Sequence, residues 1–320
     1  MANNIKKDQI LVKAWYLGVL LCIIAVIAAL LINGFSDVQY KMEKKFTVKI
    51  TSAEDLEKLG ESIYNNNVVL QNDIHITDSN FRIGSAQHPF EGTFDGNGYT
   101  VIFDFPTVGG DYSLFGDLTE KAQVINTTFD FGKLRLTGGS FGGVAQNSKG
   151  LIKDCKVQFE SLIIDHTGTF SPFVVVNNGE IINCVVSGTI NNEKLTKEQE
   201  KSVYYGSLSV YNYGTINNVV AIITFENFMC VDEKKVFAHE TDNMGIGAIV
   251  NETFLDGVVL ESMAVVAEGT CFYDENNVEI EFINDVNEAL THEKIMYALN
   301  FDNRIWKIED GDLRIQNAIK

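Results

Sequence analysis

The sequence predicts an all-β fold, a parallel β-solenoid with helical caps, preceded by one N-terminal transmembrane helix. Three features lead to this prediction. Short strand-like segments recur with the same residues at equivalent places, helix-like segments flank them, and an uncharged apolar run lies near the N-terminus. The composition, with 45% hydrophobic and 21% charged residues, is typical of a folded protein.

The N-terminal region predicts a cytoplasmic tail over residues 1–13 and a signal-anchor helix over residues 14–33. No residue from Ala14 to Ile32 is charged, and a helix of this length spans the hydrocarbon core of a bilayer. Lys6, Lys7 and Lys13 precede the run. The positive-inside rule therefore places the N-terminus in the cytoplasm and the rest of the chain outside the cell.

Two other interpretations of the apolar run are less favoured. A cleavable signal peptide has a shorter apolar core and a small-residue cleavage site, which is not evident here. A lipoprotein anchored through Cys22 would require a small residue at the preceding position, which Leu21 occupies.

Charge and cysteine content exclude several classes of protein. The formal net charge of −18 repels nucleic acid and anionic lipid headgroups, and it would attract divalent cations. The five cysteines form no C-x-x-C pair and show no metal-ligand spacing. Neither a disulfide-stapled scaffold nor a cysteine metal site is expected, so the fold must depend on its core.

A stalk over residues 34–50 leads to the extracellular domain, residues 51–320, and both ends of this domain carry signals for caps. At the start, Ser52 suits a helix N-cap, and apolar residues follow at helical spacing. These are Leu56, Leu59, Ile63 and Tyr64. At the far end, residues 286–299 predict a helix, and residues 304–308 and 313–315 predict strands. Such caps would cover sheet edges that otherwise invite another chain to pair.

Five segments share the pattern G-x-I-x-N-C-x-V without gaps. They are residues 122–129, 150–157, 179–186, 214–221 and 257–264. A second piece that ends in asparagine precedes four of them, at residues 143–147, 173–177, 208–212 and 247–251. Parallel stacking of these units, about 4.8 Å apart, buries apolar faces that one unit cannot bury alone. A β-sandwich would give no reason for the same residues to recur.

A longer string precedes the repeats. Residues 89–101 are PFEGTFDGNGYTV, and YSLFGDL follows at residues 112–118. Together with the repeats, this series resembles the GLUG-motif family of bacterial surface proteins over most of residues 51–316. The resemblance implies a right-handed parallel β-helix outside a bacterial cell, as in adhesins. The units here are divergent, because Gly179 and Gly214 follow Val-Asn-Asn and Tyr-Asn-Tyr instead of a glycine-rich run.

No catalytic site is predicted. A zinc peptidase helix needs two histidines four residues apart, and neither His239 nor His292 has the second one. Polysaccharide lyases and hydrolases use clustered carboxylates, often beside a basic residue. The arginines of the domain are instead scattered, at Arg82, Arg135, Arg304 and Arg314.

No cofactor or metal is predicted either. Residues 95–99, DGNGY, place oxygen ligands at alternate positions, like the start of a calcium loop. Pro106 stands where a closing glutamate would be needed, so a tight turn is favoured.

Two ladders follow from the repeat. Cys155 and Cys184 occupy equivalent positions on neighbouring rungs, within reach of a disulfide. Their counterparts Thr127, Val219 and Ser262 favour an ordinary packing position with buried thiols. The second ladder is polar and comprises Asn126, Asp154, Asn183, Asn218 and Glu261. It would either line a groove for a glycan or lie on a solvated face, and the solvated face is favoured.

Four tyrosines form the predicted ligand-binding patch: Tyr204, Tyr205, Tyr211 and Tyr213. Aromatic side chains stack on sugar rings or anchor protein partners, and the long polar insert at residues 191–202 lies beside them. Packing at the corner of a rung would explain these tyrosines equally well.

We therefore expect a membrane-anchored bacterial cell-surface protein. It would serve, without catalysis, as an adhesion, ligand-binding or envelope-scaffolding module. Its ligand would be a glycan or a host or cell-envelope protein. The alternatives are a carbohydrate-active enzyme on the same fold, a polysaccharide lyase or hydrolase, and a purely structural spacer.

Overall fold

The computed structural model describes residues 47–59, 66–196, 199, 203–227, 245–247, 250–253, 259–268, 280–282, 302–309 and 312–316. Within these residues the chain forms a parallel β-solenoid of about four turns, with very little helix. The predicted repeat fold, a right-handed parallel β-helix, is confirmed. The predicted signal anchor at residues 14–33 and the predicted helix at residues 286–299 lie outside the described residues. Of the helical residues that are described, none belongs to a segment with the length and hydropathy of a membrane span.

The helix α1 spans Ala53–Leu59. In chain order, the first strands are β1 (Thr47–Ile50), β2 (Asn67–Leu70), β3 (Ile74–Ile76), β4 (Thr93–Asp95), β5 (Thr100–Phe103), β6 (Thr107–Val108), β7 (Phe115–Leu118), β8 (Gln123–Ile125), β9 (Thr128–Asp130), β10 (Lys133–Leu136), β11 (Ser140–Gly142), β12 (Ala145–Ser148) and β13 (Leu151–Lys153). The later strands are β14 (Lys156–Ile164), β15 (Gly168–Ser171), β16 (Val174–Asn177), β17 (Glu180–Ile182), β18 (Val185–Asn192), β19 (Val203–Gly206), β20 (Ser209–Asn212), β21 (Thr215–Glu226), β22 (Gly245–Gly247), β23 (Val250–Thr253), β24 (Val259–Glu268), β25 (Ile280–Phe282), β26 (Trp306–Glu309) and β27 (Asp312–Ile315).

The strands stack rung on rung into four faces. Face one contains β2, β4, β8, β13, β17 and the start of β21, and face two contains β3, β5, β9, β14, β18 and the rest of β21. Face three contains β11, β15, β19 and β22, and face four contains β7, β12, β16, β20 and β23. Neighbouring strands within each of these faces run parallel, so the chain passes the four faces in order once per rung.

The domain begins earlier than the sequence predicted. Residues 47–50, assigned to the stalk, form β1, and Ile50 is fully buried. The predicted N-cap is confirmed, because the N–H of Asp55 donates to Ser52 Oγ (3.3 Å) and Asp55 Oδ2 accepts the N–H of Ser52 (3.1 Å). Leu56 is buried as predicted, whereas the side chain of Leu59 and residues 60–65 lie outside the described part.

The predicted register of the repeat is confirmed for the first four units. Ile152 pairs with Val124 on one side and with Ile181 on the other, and Ile181 pairs with Ile216. All four side chains are fully buried. They form one of the inward ladders that make up the core.

Two of the asparagine-ended pieces pair as predicted, with Asn177 opposite Asn212. The fifth unit and the other two pieces pair differently from the prediction. Ile216 lies opposite Leu260, one residue beyond the predicted Val259. Likewise, Asn177 lies opposite Ser148 instead of the predicted Asn147. Asn212 lies opposite Thr253, two residues beyond the predicted Asn251. Register follows the apolar alternation and the lengths of the turns, so alignment on a shared glycine or asparagine misses it at these places.

The cysteine ladder consists of buried free thiols, as predicted. The Sγ atoms of Cys155 and Cys184 each donate to the carbonyl two residues earlier, at 3.3 and 3.2 Å. The hydroxyl of Thr127, one rung below, makes the same bond to the carbonyl of Ile125 at 2.7 Å. The buried Val219 fills the same position without a donor, so the position selects a small side chain. Burial raises the pKa of the Cys155 thiol.

The repeated glycine of the motif is explained by close contact between rungs. A Cβ on Gly179 would lie 2.1 Å from the carbonyl oxygen of Gly150, and one on Gly214 would lie 2.2 Å from that of Gly179. These distances are shorter than any tolerated non-bonded contact. The glycines thus allow the rungs to stack at the corner between faces four and one.

We predict that Gly179→Ala destabilises the domain by at least about 2 kcal/mol, because the obstructing atom is backbone and cannot rotate away. Gly109→Ala is the matched control, since its Cβ would meet nothing nearer than Thr137 Oγ1 at 3.2 Å. Urea unfolding of both variants measures the difference. Equal stabilities would show that the rungs can separate at this corner without cost.

Candidate functional site

The C-terminal strands form an antiparallel hairpin. Strands β26 and β27 pair with Trp306 opposite Ile315 and Lys307 opposite Arg314, which confirms the two strands predicted here. The turn before β26 is fixed by Asp302, whose backbone carbonyl accepts the N–H of Trp306 at 2.8 Å. Its carboxylate binds the guanidinium of Arg304, so this arginine belongs to the local turn.

The hairpin packs on the side of the solenoid and not, as the sequence predicted, over its end. Trp306 is fully buried, and its indole Nε1–H donates to Asp154 Oδ1 at 3.4 Å. Asp154 lies between faces one and two on an inner rung, after β13. A buried tryptophan needs an acceptor for its N–H, and this carboxylate supplies one on a lateral corner.

The corner that receives Trp306 is a ladder of left-handed residues. Four consecutive rungs place a residue with φ near +50° there: Asn126, Asp154, Asn183 and Asn218. Side-chain hydrogen bonds join three of its members, with Asn183 Nδ2 donating to Asp154 Oδ1 (3.1 Å) and Asn218 Nδ2 donating to Asn183 Oδ1 (2.6 Å). Asn126 Nδ2 donates to Asp95 Oδ1 (3.2 Å). Among the described residues, the predicted polar ladder is therefore a structural corner instead of a solvated face. Asn and Asp suit it because they tolerate the left-handed conformation best after glycine.

A groove opens between the hairpin and face two. It encloses about 600 Å³. We call it the hairpin groove and define it by its lining residues, which are Asp73, Gly98, Thr100, Thr128, Lys156, Gln158, Lys307, Glu309, Arg314, Ile315 and Gln316. This volume is in the range of ligand-binding sites in general, whereas the lining is much more polar than is usual for them.

The solenoid wall of the groove repeats with the rungs. Thr100 pairs with Thr128, and Thr128 pairs with Lys156. Beside this row, Asp130 pairs with Gln158, and Gln158 Nε2 donates to Asp130 Oδ2 at 2.8 Å. Because neighbouring parallel strands lie about 4.8 Å apart, the wall presents polar groups at regular steps along the solenoid axis.

The charged groups of the hairpin groove are already paired with protein groups. Glu309 binds Lys307 at 3.1 Å and Arg314 at 3.0 Å, and the hydrogen bond from Lys307 holds the pKa of Glu309 below its usual value. Asp73 Oδ1 accepts the backbone N–H of Thr100 at 2.8 Å. Lys156 is only 1% exposed and is likewise engaged.

The four tyrosines predicted as a binding patch do not form one surface. Tyr205 lies in the core, 1% exposed, with its hydroxyl 2.9 Å from Ser207 Oγ, and burial raises its pKa. Tyr204 lies on face three, whereas Tyr211 lies on face four, and both are half-buried. Tyr213 follows β20 at the next corner and is 45% exposed. The alternation along β19 turns Tyr205 inward, so it is unavailable to a ligand.

The remaining arginines have structural partners. The guanidinium of Arg82 lies 4.2 Å from the centre of the buried Tyr112 ring. Arg135, in β10, binds Asp165 just after β14 and Glu193 just after β18, and these ion pairs join three rungs. Burial acts to raise the pKa of Asp165, but hydrogen bonds from Lys194 and Arg135 hold it below its usual value.

The turn at residues 95–99 is the tight turn that the sequence favoured over a calcium loop. Asn97 and Gly98 have positive φ angles of 52° and 80°. The N–H of Asn97 donates to Asp95 Oδ1 at 2.8 Å, and Asn126 Nδ2 donates to the same oxygen at 3.2 Å. Nowhere in the described residues do three or more His, Cys, Asp or Glu side chains come together in a way that suits a metal ion.

Sequence reasoning missed the hairpin groove, although one signal for it exists. The outward position that Lys156 occupies in its repeat unit carries Val185 in the next unit, and Val185 is 1% exposed. An apolar residue and a buried lysine at outward positions indicate that something covers this face. The cover itself, 120 or more residues further along the chain, could not be assigned from the repeat.

No protein-family model matches the chain, and no curated protein or solved structure matches it either.

We predict that Asp154→Asn gains stability relative to the native chain as the pH is raised from about 4 to 7. Burial raises the pKa of Asp154, against the hydrogen bond from Asn183 and the charge of Lys153. A carboxyl whose pKa is higher in the folded state favours folding at acid pH, and this contribution is lost as the pH rises through the folded pKa. Asparagine keeps an acceptor for Trp306 and tolerates the positive φ, but it does not ionise.

Urea unfolding across this pH range measures the effect. Asp165→Asn is the control of opposite sign, because the pKa of Asp165 is lowered in the folded state. A constant difference between Asp154→Asn and the native chain at all pH values would contradict the prediction.

Proposed function

We propose that this protein is a non-catalytic ligand-binding module, displayed on the outer side of a bacterial membrane, that holds an extended polymeric ligand in the hairpin groove. The observation that carries the proposal is the groove itself. A rigid sheet with polar groups at regular steps forms one wall, and a docked hairpin forms the other. Binding residues held on such a scaffold lose little entropy when a ligand binds.

The placement at a cell surface comes from the sequence. The uncharged run at residues 14–32 behind three lysines supports a signal anchor with the domain outside. The resemblance of residues 89–118 and of the repeats to the GLUG-motif family supports a bacterial surface protein of adhesin type.

The chemistry of the groove supports binding over catalysis. General acid–base work requires carboxyl groups held ready to exchange protons with a substrate. Both carboxylates of the groove lining already accept bonds from the protein, Asp73 from the Thr100 N–H and Glu309 from Lys307 and Arg314. Turnover of the bound polymer would favour the alternative function, a carbohydrate-active enzyme.

A second location for the same function is the surface around Tyr213. Its ring is 45% exposed, as a ring that stacks on a sugar or a protein partner would be. Tyr204 and Tyr211 lie on separate faces, so Tyr213 would act alone or with one of them.

We predict that Thr128→Tyr abolishes binding of the ligand, because a bulky ring at this outward position of β9 fills the groove. Thr169→Tyr is the matched control. Thr169 is an outward threonine on face three, and Tyr204 already occupies the paired position on the next rung. The full chain and both variants are screened on an array of polysaccharides, glycans and envelope proteins, after thermal unfolding has shown that both variants fold.

Binding that survives Thr128→Tyr but is lost in Tyr213→Ser would move the site to the tyrosine surface. No binding to any member of the array would favour a structural spacer.

A further inference from the structure

We propose that the ligand of the hairpin groove is an uncharged polysaccharide. This inference rests on the proposed function and adds the chemical class of the polymer. It follows from three properties of the groove: its charges are paired, its remaining polar groups both donate and accept hydrogen bonds, and it offers little apolar surface.

The pairing of charges disfavours a charged ligand. Lys307 and Arg314 face each other across the hairpin and share Glu309. A polyanion would have to replace Glu309 in both ion pairs and leave that carboxylate without its partners, which is costly. The net charge of −18 also repels a polyanion before it reaches the groove.

The uncharged groups of the lining match sugar hydroxyls. The hydroxyls of Thr100 and Thr128 and the amides of Gln158 and Gln316 each combine a donor with an acceptor. A sugar hydroxyl also does both, so it can bond to such groups in either direction. The amide of Gln316 is held in place because its Nε2 donates to the carbonyls of Asn303 (2.7 Å) and Trp306 (3.1 Å), and its Oε1 is an acceptor on a fixed side chain.

The small apolar share of the lining disfavours a protein segment. Among the described residues that line the groove, Ile315 is the one with an apolar side chain larger than a methyl group, and it is mostly buried. Protein partners are usually anchored by aromatic or large apolar side chains in matching pockets. A polysaccharide needs no such pocket, since its hydroxyls carry the recognition.

The test compares uncharged and acidic polymers on the full chain. Dextran, a β-glucan and a galactomannan serve as uncharged probes, alginate and polygalacturonate as acidic probes, and an extended peptide library as the protein probe. Calorimetric titration at 20 and 500 mM NaCl gives each Kd. We expect at least one uncharged polymer to bind, with a Kd that changes by less than about twofold between the two salt concentrations, because no ion pair forms with the ligand.

Two glutamine variants locate the contact. Gln158→Leu keeps the approximate size of the side chain but removes its amide, and it should weaken binding about fivefold to tenfold, as expected for a lost hydrogen bond. Gln146→Leu is the control, since Gln146 lies outside the groove on face four and also makes one side-chain bond, to Ser140 Oγ at 3.0 Å. It should leave the Kd unchanged.

The outcomes separate this inference from the proposed function. Binding of alginate or polygalacturonate that is blocked by Thr128→Tyr and weakens steeply with salt would overturn the uncharged class while keeping the groove as the site. Selective binding of peptides blocked by the same variant would do likewise. Binding of an uncharged polymer that neither Thr128→Tyr nor Gln158→Leu affects would overturn both, as would the absence of any binding.

Discussion

The solenoid depends on one constraint at the corner between faces one and two, where each inner rung must place a residue in the left-handed backbone conformation. Most side chains resist a φ near +50°, and asparagine and aspartate resist it least. The chain places asparagine or aspartate there on four successive rungs, from Asn126 to Asn218. Their side chains then bond from rung to rung, so the residues that turn the chain also hold the rungs in register.

The single aspartate in this ladder is where the solenoid acquires a second element. Asp154 accepts one bond from Asn183 within the ladder and one from the indole of Trp306. Both bonds end on the same oxygen, Oδ1, which an asparagine could also supply. What the aspartate adds is its charge, since Oδ2 lies 3.8 Å from Lys153 Nζ. The cost is a buried charge. Docking of the hairpin at this rung creates the hairpin groove on a face that would otherwise be open.

Backbone proximity sets a second constraint, at the corner between faces four and one. There the glycines of the repeat allow one rung to approach the carbonyl of the next within a distance that excludes any Cβ. The two corners therefore explain the two most persistent letters of the repeat, the glycine and the asparagine. The cysteine is explained more loosely, because threonine and valine fill the same position.

The sequence predicted the fold and much of the core but not the site. The strong periodicity of the sequence identified the inward positions. One inward ladder pairs as the repeat predicts, and it consists of Val124, Ile152, Ile181 and Ile216. Register failed by one residue at the fifth unit, where Ile216 meets Leu260, because apolar alternation and turn length outweigh a shared glycine. The tyrosines were misplaced for a related reason. Their clustering in sequence gave no information about the corner between β19 and β20, which sends Tyr204 and Tyr211 to different faces.

The sequence by itself determined the features that depend on residues close together in the chain. These are the rung, its two corner residues, the helix cap at Ser52 and the strands of the final hairpin. These depend on backbone preference and on spacing within a few residues. Only the tertiary structure decided that the hairpin packs on Asp154 and that Lys156 and Gln158 face Lys307 and Arg314 across a groove. Such pairings join residues about 150 positions apart in the chain, and they follow from shape and hydrogen-bond partners that no local pattern encodes.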